Sequence, residues 1–175
     1  MSVNRLLSEG GGASVRNDEL ESLYNKYNIE LYLYALALCK DKPLAEDLVS
    51  ETFFKALLAL EDSREYVKYW LFRVCKNLYL DYEKKEKSLE QIEPHMNKLF
   101  IEESTLDKIL INEQRREVYY EVLKLKSSYK EIITLYYYCS LSLREVAVIM
   151  RLSEGASRTL LYRARKKLKE GLKEE

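Results

Sequence analysis

Apolar residues return at three- and four-residue steps along most of the 175-residue chain, the period of helices with one buried face. Leu20, Leu23, Tyr24, Tyr27, Leu31, Tyr34, Ala35 and Leu38 predict a first helix from Asp18 to Cys39. The run Lys40-Asp41-Lys42-Pro43 breaks it, since proline suits a turn or a first helical turn. A second helix, about Leu44 to Leu60, offers Leu48, Phe53, Ala56, Leu57 and Leu60 to a core. A polar break at Glu61 to Glu65 precedes a third helix, about Tyr66 to Lys85. Its apolar stripe is Val67, Leu71, Val74, Leu78 and Tyr82, and a second line, Trp70, Arg73, Asn77, Asp81 and Lys84, runs beside it. A solvated face accounts for Asp81 and Lys84. It sits less comfortably with Trp70 and Asn77 beside Arg73.

The periodicity then lapses. Residues 86–104 contain Pro94, are acidic, and read as a flexible linker. Beyond it Ser104 with Asp107 resembles a capping box, opening a helix to about Lys126. Ser128 with Glu131 predicts another start, and Ser142 with Glu145 a third, before "LREVAVIM". A last helix runs from Ser153 to about Leu172, and no strand is required. The small, polar, Gly-rich residues 1–17 read as a disordered leader. The expected fold is all-α: two small helical domains, 18–85 and 105–175, joined by the 86–104 linker, the C-terminal one a helix–turn–helix.

That C-terminal motif is a two-turn helix, Leu143 to Met150, a three-residue turn and a longer helix. Ala147 falls where the two helices must approach closely. Ser157, Leu161, Ala164 and Leu168 are spaced to face inward, leaving Arg158, Thr159, Tyr162, Arg163, Lys166 and Lys167 outside, flanked by Arg165 and Lys169. From Arg151 to Lys169 there are seven basic residues and one acidic, Glu154. A solvated helix face normally mixes signs. A recognition helix wants this skew, with side chains for base edges at its start and cations for phosphates further on.

Total charge would have hidden this, because 29 basic and 29 acidic residues cancel. By blocks the charge alternates: −5 over 1–62, +3 over 63–85, −4 over 86–107, +2 over 108–143 and +4 over 144–175. Zero net charge therefore does not argue against a nucleic-acid partner; it argues against a uniformly basic chain. No apolar run approaches the roughly 20 residues that span a bilayer, and the N-terminus lacks a signal-peptide core, so a cytoplasmic location is expected. Cys39, Cys75 and Cys139 are far apart in apolar runs and read as buried, reduced thiols, and His95 is the only histidine. Without a phosphate loop, a nucleophile–base pair or a metal cluster, the chain is read as no enzyme and as needing no cofactor.

Both halves resemble one family, the extracytoplasmic-function (ECF) sigma factors of the sigma-70 group. The resemblance rests on "PLAEDLVSETFFKAL" (Pro43 to Leu57), "YWLFRVCKNLYLDYEKK" (Tyr69 to Lys85) and "SYKEIITLYYYCSLSLREVAVIMRLSEGASRTLLYRARKKL" (Ser128 to Leu168). It implies that residues 18–85 form region 2 and about 105–172 region 4. Such a protein binds core RNA polymerase through the β′ clamp helices and the β-flap. It recognises −10 and −35 promoter elements, begins strand opening and is held by an anti-sigma partner. The resemblance gives Asp47, Ser50 and Glu51 to the clamp, with Ser50 standing where glutamine is usual. It gives the −10 element to the Glu61, Asp62, Ser63 and Arg64 loop, where an extruded base can be captured, and to Tyr69, Arg73, Lys76, Asn77, Lys84 and Lys85. It gives the −35 element to Ser153, Glu154, Arg158, Thr159, Tyr162, Arg163, Lys166 and Lys167. Tyr69 and Trp70 are candidates for base stacking, although a lone tryptophan in a small helical domain is expected to pack. Besides Ser50, further positions depart from the pattern: Arg151 in the turn, where Gly or Asn enters positive φ with less strain, Ser157 in place of an inward valine, Leu160 in place of a basic or polar residue, and Ser128 in place of the usual proline region. A stand-alone helix–turn–helix regulator and a polymerase- or sigma-binding adaptor remain the alternatives.

Overall fold

A computed structural model describes residues 11–59, 67–89 and 113–173, with side chains from Asp18 onward. Every element among them is helical. In the N-terminal half α1 (Gly11–Cys39), α2 (Lys42–Ala59) and α3 (Val67–Leu89) pack on one another. In the C-terminal half α4 (Glu113–Lys124) leads to α5 (Ser127–Ile133), which widens into a π turn (Thr134–Tyr138), then α6 (Leu143–Met150) and α7 (Glu154–Gly171). No described helix is long and apolar enough to cross a membrane.

Boundaries follow local chemistry. Lys40, at φ 55°, ends α1, and the Asp41 carboxylate accepts the Leu44 N–H at 2.8 Å, so α2 starts at Lys42 with Pro43 in its first turn. Ser142 and Glu145 form the predicted reciprocal capping box, at 3.3 and 2.7 Å. Two helices outrun expectation. α1 reaches back to Gly11, into the stretch read as disordered, because extending a nucleated helix gains one bond per residue fixed. α3 continues past Lys85 to Leu89, supported by a Lys87–Glu83 pair at 3.4 Å and a Ser88 hydroxyl donating to the Lys84 carbonyl at 2.9 Å. The expected box at Ser104 and Asp107, Leu60 and the loop Glu61 to Arg64 lie outside the described residues.

The two halves share one hydrophobic core. Leu31 to Ala37 are all buried, so this part of α1 is covered on every side, by α2 and α3 and by α5 and the π turn. Tyr119 of α4 donates to the Leu33 carbonyl at 2.5 Å, and the Cys139 thiol lies 3.5 Å from the Glu30 carbonyl. This docking rotates the buried face of α3. Phe72 and Cys75 join Val67 and Leu71 in the core, Phe72 edge-on to Tyr34 at 5.5 Å between ring centres, while Tyr82 is exposed. Leu57, offered to the core by its spacing, is exposed as well, because Phe53 and Ala56 fill that side of α2. Trp70 is half-buried against the core, as expected of a lone tryptophan.

Glu131 is the sharpest departure. The Ser128 box does not form: α5 begins at Ser127 with no side-chain cap. Glu131 instead turns into the seam between the halves, 7% exposed. There it accepts hydrogen bonds from the Tyr34 hydroxyl at 2.8 Å and the Lys76 ammonium at 2.6 Å.

Candidate nucleic-acid and polymerase interfaces

The helix–turn–helix is built as the spacing predicts. Arg151 takes the left-handed conformation, φ 56° and ψ 45°, which turns the chain, and the Leu152 N–H returns to the Ala147 carbonyl at 2.9 Å. Ser153 caps α7 by accepting the Ala156 N–H at 3.1 Å. Ala147, Ser157, Leu161 and Ala164 are buried and Leu168 half-buried. The Ser157 hydroxyl is enclosed with no hydrogen-bond partner, as a serine at an apolar position would be.

Outward, Glu154, Arg158, Thr159, Tyr162, Arg163, Lys166 and Lys167 are all exposed along α7, with Ser153 at its start, and Tyr162 keeps 69% of its surface. Arg158 lies 3.8 Å from Glu154, and Thr159 bonds the Gly155 carbonyl at 3.1 Å. Lys167 pairs with Glu170 at 2.7 Å and holds that carboxyl below its ordinary range. These exposed pairs are weak and yield readily to a phosphate. Arg165 differs. Its Nε donates to the Tyr137 hydroxyl at 2.5 Å, and its guanidinium lies over the Tyr136 and Tyr137 rings at 5.7 and 5.4 Å.

Arg165 thereby walls an apolar groove of about 610 Å³ between α4, the π turn and the end of α7. Val118, Ile133, Tyr138, Leu168 and Leu172 give it an apolar lining, and Arg115 and Lys169 add charge. Sequence reasoning missed this groove. Its signal was the triplet Tyr136-Tyr137-Tyr138, which a regular helix would spread around its axis; the π turn aims Tyr137 at α7 while Tyr138 stays buried.

On α3, Tyr69, Arg73, Asn77 and Lys84 follow one another at four- and seven-residue steps along one side, with Lys85 one helical step away. Arg73, Asn77, Lys84 and Lys85 are exposed and Tyr69 half-buried. Lys84 pairs loosely with Asp81 at 3.7 Å. Lys76 borders the same side, but its ammonium is taken by Glu131.

On α2, Asp47, Ser50 and Glu51 are exposed together, Glu51 lying 4.0 Å from Lys55. Phe54 and Leu58 extend this face at helical spacing, 58% and 68% exposed. A periodicity argument that assigns apolar residues to a core misses them. The clue was the doublet Phe53-Phe54, of which only one ring can point inward.

Burial disfavours the thiolate form of all three cysteines. Burial pushes Cys75 up to about 12 and Cys139 well above its ordinary value, and half-buried Cys39 rises to about 11.

An exposed cationic helix set on a tight-turned partner and joined to a second helical half has the architecture of one class, the helix–turn–helix factors that carry a further helical domain. The family follows from two independent matches. Residues 23–88 match the model for sigma-70 region 2, and residues 115–168 match that for sigma-70 region 4. The chain is 32% identical to the ECF RNA polymerase sigma factor SigM of Bacillus subtilis over 86% of its own length and 93% of that protein. It is 27% identical to the sigma factor YlaC of the same organism over 89% and 92%. In structure it resembles the sigma factor RpoE of Bartonella quintana, solved with the anti-sigma factor NepR, with a TM-score of 0.70 at 20% identity over 89% of this chain and 98% of that one. The chain belongs to the ECF sigma factors of the sigma-70 family, as regions 2 and 4 in tandem. It is a non-enzymatic factor that initiates transcription with RNA polymerase.

Proposed function

We propose that α7 and α3 are the two promoter grips of this sigma factor and that the exposed face of α2 is its principal polymerase contact. The exposed cationic face of α7 carries the reading. Arg158, Thr159 and Tyr162 sit near the start of the helix, where base edges of a −35 element are met, and Arg163, Lys166 and Lys167 follow for phosphates. Arg73, Asn77, Lys84 and Lys85, and Lys76 when it is released from Glu131, serve the −10 element with the Glu61 to Arg64 loop and Tyr69. Asp47, Ser50 and Glu51 meet the β′ clamp helices, with Phe54 and Leu58 supplying the apolar centre that a stable interface needs. The groove beside Arg165 receives an apolar segment of the β-flap. The site of action is the cytoplasm, where the polymerase works. An anti-sigma factor is the expected antagonist, by analogy with the NepR complex of the RpoE neighbour.

The test is transcription with purified core polymerase. Promoter-specific initiation that depends on the added chain is expected. A footprint made by the protein alone on a palindrome, with no initiation, would instead mark a stand-alone regulator.

A further inference from the structure

The seam between the halves encloses a charge whose two side-chain partners both come from the opposite half. Glu131 is nearly enclosed, and one oxygen of its carboxylate accepts from both Tyr34 and Lys76. Glu131 stands on α5 of the C-terminal half, Tyr34 on α1 and Lys76 on α3 of the N-terminal half. Undocking would leave Tyr34 and Lys76 to water and dissolve the pair, and removing one partner in place would strand a buried charge. Tyr34 is itself fully enclosed, and its hydroxyl is held in the protonated, donating form by burial and by the Glu131 carboxylate. The same seam includes the Tyr119 bond to Leu33 and brings α6 of the helix–turn–helix against α3.

We infer that Tyr34, Glu131 and Lys76 form a clasp that holds the two promoter grips closed on each other in the free protein and withholds Lys76 from DNA. The DNA-withholding part rests on the reading of α3 given above; the closure does not. A closed chain cannot place α3 and α7 on separate promoter elements, so binding to polymerase must draw on free energy to open it. The apparent affinity for core polymerase is then lowered by the fraction of molecules that are closed. The clasp sets that fraction without touching the polymerase-facing side of α2.

Two variants test it without altering any proposed DNA or polymerase contact: Glu131→Gln, which removes the charge, and Tyr34→Phe, which removes one hydrogen bond. Small-angle scattering of the free full-length chain, with helicity followed by circular dichroism, is expected to show expansion at unchanged helix content, larger for Glu131→Gln. Core polymerase should then bind the expanded variant about tenfold more tightly, the scale set by losing one charge-assisted bond. If both variants stay as compact as the parent, or bind core no more tightly, the clasp is overturned. Lys76→Met, assayed on promoter opening by the assembled holoenzyme, separates the two readings. Weakened opening supports the DNA role of Lys76. Unchanged opening beside an expanded Glu131→Gln leaves the clasp standing and removes Lys76 from the −10 face.

Discussion

The two helices proposed to face DNA differ in how much of their charge is already committed. Along α7 every proposed contact is exposed, and its ion pairs, Glu154 with Arg158 and Lys167 with Glu170, lie in water. Along α3 the exposed side is interrupted where Lys76 turns to Glu131, and the adjacent Phe72 is buried against Tyr34. On this proposal one grip is ready in the free chain and the other is partly spent on holding the halves together. The difference arises because α7 packs on α4, α5 and α6 of its own half, while α3 packs on α1 and α2 and also across the seam on α6.

The largest expected effect breaks the open grip. Replacing Arg158 and Arg163 together by alanine should weaken −35-dependent promoter binding by roughly 100-fold, or about 3 kcal/mol, measured at fixed salt. Circular dichroism should be unchanged, since both side chains are solvated.

A middle-sized effect concerns the seam behind the closed grip. Lys130 is buried near Lys40 and Cys39 at the end of α1, and burial, with Lys40 second, lowers its pKa from 10.5 to about 8. The folded state therefore binds fewer protons than the unfolded one between those values, so stability should rise with pH through about 8 and upward. The thiols act in the opposite sense. Cys39 and Cys75 are raised from 9.0 to about 11 and about 12, so their protonated-state stability is lost progressively as pH climbs above 9. A narrow rise between about 8 and 9, followed by a fall, is the expected profile in chemical denaturation. Lys130→Met should abolish the rise and add roughly 1–3 kcal/mol at neutral pH.

The smallest effects sharpen the helix–turn–helix itself. Ser157→Ala should stabilise by about 1 kcal/mol, because it removes a buried hydroxyl that has no partner. Arg151→Gly should add roughly 0.5–1 kcal/mol by relieving positive φ. Both are read from thermal midpoints, and DNA affinity should barely move.

Two serine–glutamate pairs show where the sequence was legible. Ser142 and Glu145 carry the capping-box spacing and form the box; Ser128 and Glu131 carry the same spacing and do not. Local chemistry alone governs the first pair, at an exposed helix start. The second lies beside α1, and the deep placement of Tyr34 and Lys76 there offers Glu131 stronger partners than a backbone N–H. Helix order, the turn at Arg151 and the inward Ser157 depend on near neighbours and could be read directly. The buried belt of Leu31 to Ala37, the groove at Arg165 and the capture of Lys76 depend on contacts far apart in the chain. No periodicity encodes those. Phe54 and Leu58 were hidden for another reason: an exposed apolar residue, as on the face proposed to bind polymerase, looks in sequence like one more core position.

The contrast between the helices can be measured on one sample through the rate at which their lysines are acylated. In the free chain Lys166 should react as a solvated amine, while Lys76, held 2.6 Å from Glu131, should be protected by at least about tenfold. Glu131→Gln should bring Lys76 up towards the rate of Lys166. If Lys76 in the parent protein reacts as fast as Lys166, the halves are not clasped and the two grips are equally free.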